Sequence, residues 1–149
     1  MSKVQSSIIV YRPMEEVFDF MVSPYSGPAF ILSLGENTNI NPEKTQMGQT
    51  YDWQFNIGEV VLKGKGEVIE FDRPHTIKIA TAGDSSSTWT YVLKEEGDGT
   101  RVTAEIEYDF PETVYKRLTD NKTDINEFGQ KMAEQMLKNL KVIMEGARR

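Results

Sequence analysis

Aromatic side chains with polar tips are the residues of this sequence best suited to chemistry. Tyr51, Trp53 and Phe55 alternate with Asp52, Gln54 and Asn56, Trp89 and Tyr91 stand two apart in a second run, and Ile106 and Tyr108 do so in a third. Period-two alternation places each set on one face of a strand. A phenol or an indole has an apolar body and one polar atom that needs a partner once buried. In a dry pocket such groups could hold a flexible molecule in one conformer and polarise a carbonyl on it. With an ordinary pKa near 10, phenols serve there as donors rather than bases.

No general base accompanies them. His75 is the only histidine, and it follows Pro74 in an expected turn. Ser85, Ser86 and Ser87 come after Gly83-Asp84 and read as a hairpin rather than as a nucleophile. Asp120, Asp124 and Glu127 lack the spacing and central glycine of a calcium loop and read as helix capping and solvation. The chain has no cysteine, which excludes thiol nucleophiles, disulfides, iron–sulfur clusters and Cys-ligated zinc. Gly64 and Gly66 lie within a strand-forming run, where they suggest a bend or bulge rather than a phosphate loop. No metal site and no cofactor is expected, and no catalytic residue is identified.

The elements that must position these aromatics follow from local pattern. With 149 residues, one domain spanning 1–149 is the default, large enough for a core without staples. Residues 3–11 read as a strand. Pro13 suits a first helical position, Glu15 and Glu16 suit the positive end of the helix dipole, and Val17, Phe18, Phe20 and Met21 supply an apolar face. After "SPYSGP", the stretch "AFILSL" suggests a second short helix. From Asn37 onward the period is two, and Asp98-Gly99 between two β runs signals a hairpin. Val102, Ala104, Ile106, Tyr108 and Phe110 share one strand face. Beyond Pro111, "ETVYKRL" suggests a short helix, and a long helix runs from about Asn121 to Ala147, with Asp124 and Glu127 as a capping box. The order is an α+β domain with one helix against one face of an antiparallel sheet.

On a helical wheel, Ile125, Phe128, Met132, Ala133, Met136, Leu137, Leu140, Ile143 and Met144 of this last helix share one half. Gly129 falls inside that half, where glycine costs about 1 kcal/mol relative to alanine. Something must approach it closely: either a bound molecule, or a large side chain from the sheet such as Trp53 or Trp89. The methionines carry the same ambiguity, since thioethers suit both irregular cores and promiscuous apolar sites.

Four stretches resemble a known superfamily. "PMEEVFDFM" (13–21), "GEVIEFDRPHTI" (66–77), "GDGTRVT" (97–103) and "LKNLKVIME" (137–145) are similar, in order, to segments of the START-like, Bet v 1-like (SRPBCC) superfamily, in particular its polyketide cyclase/dehydrase-like bacterial branch. Two departures are Arg73, where the family turn carries a further proline, and Phe30 as the aromatic of the second short helix. The resemblance implies a helix-grip fold: a curved antiparallel β-sheet wrapped around a long C-terminal α-helix, with two short helices after the first strand. It further implies a hydrophobic cavity between sheet and helix; with the strand registers and helical wheel above, the residues expected to line it are Phe30, Tyr51, Trp53, Phe55, Trp89, Tyr91, Ile106, Tyr108, Phe128, Gly129, Met132 and Met136.

The function expected from that resemblance is binding of a small hydrophobic or amphipathic molecule, as a carrier or sequestering protein. The alternatives are a cyclase or dehydratase that uses the same pocket, and a co-chaperone-like interaction domain whose pocket is filled. The formal net charge of -6 makes nucleic acid an unfavourable partner, and Lys138, Lys141, Arg148 and Arg149 read as solvated surface. The first ten residues lack the pattern of a signal peptide, and no apolar run approaches the roughly 20 residues needed to span a bilayer. A cytoplasmic monomer or homodimer is the corresponding expectation.

Overall fold

The structure is a computed structural model, and it describes residues 2–57, 59–120 and 124–146. Strand β1 (Ser2–Val10) leads into helices α1 (Met14–Val22) and α2 (Gly27–Phe30). Strands β2 (Thr38–Asn41), β3 (Thr50–Ile57), β4 (Val60–Asp72), β5 (Thr76–Gly83), β6 (Ser86–Glu96) and β7 (Gly99–Asp109) follow, then helices α3 (Glu112–Asp120) and α4 (Ile125–Gly146). The seven strands form one antiparallel sheet in the order β1-β7-β6-β5-β4-β3-β2, so the first strand closes beside the last. The sheet curves around α4, which is the helix-grip arrangement.

Alternation works as the pattern requires. Along β7, Val102, Ala104, Ile106 and Tyr108 are buried while their neighbours are only partly so. On β6, Tyr91 and Leu93 are buried on the same face. The β6–β7 hairpin turns one residue earlier than expected, through Gly97 (φ 58°) and Asp98, because Gly99 already pairs with Glu96 in a ladder that runs to Ser86↔Asp109. Pro13 lies one residue before α1 with extended ψ, and Val17, Phe18, Met21 and Val22 supply the buried face.

Three further local expectations need correction. The second short helix covers Gly27–Phe30, not residues 29–34, because Pro28 takes an early helical position and Ile31 leaves helical geometry. The irregularity in β4 lies between Val68 and Glu70, not at Gly64 or Gly66. Those glycines instead lie opposite Trp53 and Tyr51 in the ladder, and a Cβ on either would run into those rings. The long helix begins at Ile125, while residues 121–123 and 147 of the expected range lie outside the described ones. Its cap is half of the expected box. The Glu127 N–H donates to Asp124 Oδ1 at 3.0 Å, but the Glu127 carboxylate pairs with Lys131 at 2.6 Å.

Helix α4 grips the sheet along its length. Gly129, Ala133, Met136, Leu137, Leu140 and Met144 are buried, whereas Phe128, Met132 and Ile143 are only half-buried. Polar side chains of α4 also cover the open edge of β1. Gln130 Nε2 donates to the Gln5 carbonyl at 2.9 Å and Lys141 Nζ to the Ile9 carbonyl at 2.7 Å. The Tyr11 N–H, just beyond the strand, donates to Glu145 at 2.9 Å. An edge satisfied by helix side chains is a poor template for another strand.

Candidate functional site

The sheet and α4 meet closely at one end and stand apart at the other. From Ala133 onward, Met136, Leu137, Leu140 and Met144 of the helix are buried in the core cluster that also contains Val10, Leu93 and Val102. Near Phe128, Gly129 and Met132 a cavity remains, with about 110 Å³ of space that the centre of a water molecule can occupy. That is of the order of cavities that hold one aromatic ring in other proteins. β3 contributes Tyr51, Trp53 and Phe55, β6 contributes Trp89 and Tyr91, and β7 contributes Ile106 and Tyr108. The segment between α1 and β2 forms a further wall, with Pro24, Ile31 and Leu34.

Ten of the twelve residues expected from the sequence meet at this cavity; Phe30 and Met136 do not. Phe30 is fully buried against Phe20, ring centroids 6.0 Å apart, and its carbonyl accepts a hydrogen bond from Asn139 at 3.1 Å. Met136 is fully buried in the closed half of the interface. Both lie on the correct face; one further turn of helix, or a residue at the end of α2, separates lining from solid core.

The notch at Gly129 has an occupant from the sheet. It is neither Trp53 nor Trp89 but Tyr108: a Cβ at Gly129 would land on the Tyr108 hydroxyl and ring. That hydroxyl donates to the Ile125 carbonyl at 2.8 Å, so the phenol fills the gap in the helix face and satisfies its own polar atom. Gly129 still borders the cavity, beside that ring.

The remaining polar atoms fall into two groups. Trp89 Nε1 donates to Ser87 Oγ at 2.8 Å, and Ser87 also shares a hydrogen bond with Thr81 Oγ1, so the Thr81–Ser87–Trp89 corner is internally satisfied. Ser87 therefore acts as a hydrogen-bonding neighbour in a strand, with no base beside it. By contrast, Trp53 Nε1 and Asn37 Oδ1 are buried without a partner among the described residues, although Asn37 Nδ2 donates to the Pro24 carbonyl at 2.9 Å. Tyr51 and Tyr91 also line the space. Burial pushes the Tyr51 phenol up to about 12 and the Tyr91 phenol higher still, with the nearby Tyr51 adding to the effect. Both remain neutral donors at any ordinary pH.

Among the described residues lining the cavity, none is acidic, basic or histidine. Among the described residues, too, no cluster of three or more His, Cys, Asp or Glu is placed to hold a metal ion. His75 lies exposed in the β4–β5 turn with Asp72 4.0 Å away. Beside it Arg73, the departure from the family turn, forms a two-pronged pair with Asp19 of α1 at 2.8 and 2.7 Å.

Sequence reasoning missed Asn37, Thr81 and Ser87 as part of this wall. Parity could have found the last two: Ile77, Ile79 and Thr81 step by two, as do Ser87, Trp89 and Tyr91. Asn37 lies in an irregular segment where no period operates.

A family model described as polyketide cyclase / dehydrase and lipid transport matches residues 1–145. Among solved structures, protein TTHA0849 from Thermus thermophilus is similar with a TM-score of 0.78 at 17% identity, covering 99% of this chain and 100% of that one. SSP2350 from Staphylococcus saprophyticus is similar with a TM-score of 0.59 at 23% identity, covering 97% and 92%. Ara h 8.0201, of the Bet v 1-like fold, is similar with a TM-score of 0.63 at 9% identity, covering 97% and 98%. At such identities the likeness is one of fold. No curated protein matches the chain. Among the described residues no helix is long and apolar enough to cross a membrane.

Proposed function

Because the chain belongs to the polyketide cyclase/dehydrase and lipid transport family, we propose that it binds a small hydrophobic or amphipathic molecule in the cavity between the sheet and α4, as a carrier or sequestering protein. One observation carries this reading: an apolar void of about 110 Å³ stays open in an interior that is otherwise packed. A guest of matching shape gains transfer and packing energy from these apolar walls.

Binding goes ahead of cyclisation or dehydration in this reading. The described lining offers hydrogen-bond donors and acceptors but no carboxylate or imidazole to move a proton. It also goes ahead of a pure interaction domain, which needs no internal void.

The test uses the chain's own reporters. Its only two tryptophans, Trp53 and Trp89, both border the cavity. Native mass spectrometry of the purified protein should find a co-purifying apolar molecule. Titration with the neutral one-ring probe 4-nitroanisole should quench tryptophan emission saturably. A protein free of adducts whose emission ignores the probe refutes the proposal.

A further inference from the structure

Resting on that reading, we infer that the cavity takes uncharged molecules bearing a hydrogen-bond acceptor, such as a ketone, an ester or an ether, anchored by the Tyr51 and Tyr91 hydroxyls, and that it excludes carboxylates. Two independent observations carry this.

The first is the absence of charge. No described residue lining the cavity is ionisable near neutral pH, so a charged guest would lose its hydration and find no counter-charge. The phenols themselves report the same environment: their own ionisation is suppressed by burial. The walls resist negative charge, and the formal net charge of -6 repels anions on approach.

The second is that unpaired donors on the wall, the Tyr51 and Tyr91 hydroxyls and Trp53 Nε1, outnumber the unpaired acceptor Asn37 Oδ1. Tyr108 gives its proton to the Ile125 carbonyl, and Trp89 gives its own to Ser87. Tyr51 and Tyr91 line the same space, and among the described residues neither hydroxyl has a protein partner. Tyr91 is only 2% exposed. They lie near enough for the charge on one to be felt by the other. The two hydroxyls face the open space, and Trp53 Nε1 of the same wall is buried without a partner among the described residues; an acceptor on the guest satisfies such donors. The oily walls would take the rest of the molecule.

Three probes of similar size separate the terms: acetophenone (neutral, with an acceptor), ethylbenzene (neutral, without one) and benzoate (anionic). The indole N–H resonances of Trp53 and Trp89 in a ¹⁵N–¹H spectrum follow each titration at pH 7. Acetophenone should bind at least tenfold more tightly than benzoate. Tyr51→Phe and Tyr91→Phe should each weaken acetophenone by about two- to tenfold, the range of one lost hydrogen bond, and leave ethylbenzene unchanged. Benzoate binding as tightly as acetophenone overturns the exclusion of charge. Acetophenone binding unaltered in both variants overturns the anchoring. If none of the three probes moves either resonance, the binding reading itself fails and this inference falls with it.

Discussion

Gly129 shows how one residue can support two opposite readings until its neighbour is known. Alanine there would favour the helix by about 1 kcal/mol. In the folded protein its Cβ would meet the Tyr108 hydroxyl, which is held in place by the Ile125 carbonyl. Gly129→Ala should therefore lower stability by roughly 1–3 kcal/mol, the usual range for overpacking. Tyr108→Phe alone should cost about 1 kcal/mol for its hydrogen bond. In the double variant the alanine should cost less, since the closest atom it strikes is gone and only the ring contacts remain. Urea denaturation of the four proteins measures that coupling; strictly additive losses would show that Tyr108 does not fill the notch. The sequence marked Gly129 as a point of close approach. It could not say whether the approaching group belonged to the protein, because that depends on a strand partner 21 residues away in the chain.

At the scale of elements, β3 and β4 build the aromatic wall by opposing large rings to glycines. Trp53 pairs with Gly64 and Tyr51 with Gly66. The two glycines differ in what a side chain would meet. At Gly66 the nearest atoms it meets are the far end of the Tyr51 side chain, which borders open space and is the cheaper kind of neighbour to displace. At Gly64 it also meets the Ala82 carbonyl of β5, part of a hydrogen-bonded ladder that cannot yield cheaply. We expect Gly64→Ala to cost several kcal/mol and Gly66→Ala about 1 kcal/mol. Thermal unfolding followed by circular dichroism ranks the two, and equal losses contradict the account. Period-two alternation made both faces of β3 legible in the sequence. The purpose of Gly64 and Gly66 was not, because a bulge and a ring bed leave the same mark on a single strand.

For the whole molecule, the buried phenols make stability depend on alkaline pH. The Tyr51 pKa is raised by burial to about 12, above the ordinary value near 10 that the unfolded chain would show. Its contribution is fully present below pH 10 and is lost as pH rises through 12, because the unfolded state releases the proton first. Denaturant midpoints should fall between pH 9 and pH 12, and less steeply in Tyr51→Phe; parallel curves for the two proteins would rule this out. The order of elements, their facing sides and the grip of sheet on helix were all legible from local pattern. Alternation and the helical period are properties of neighbouring residues, and the resemblance of four stretches added the curvature. The void was a different matter. Met132 and Met136 stand one turn apart on the same face of α4, yet Met136 is sealed in core and Met132 borders open space. Local sequence determines which way a side chain points. Whether atoms from the other side reach it depends on how far the curved sheet stands from α4 at that level, a sum over contacts distant in the chain that only the tertiary structure decides.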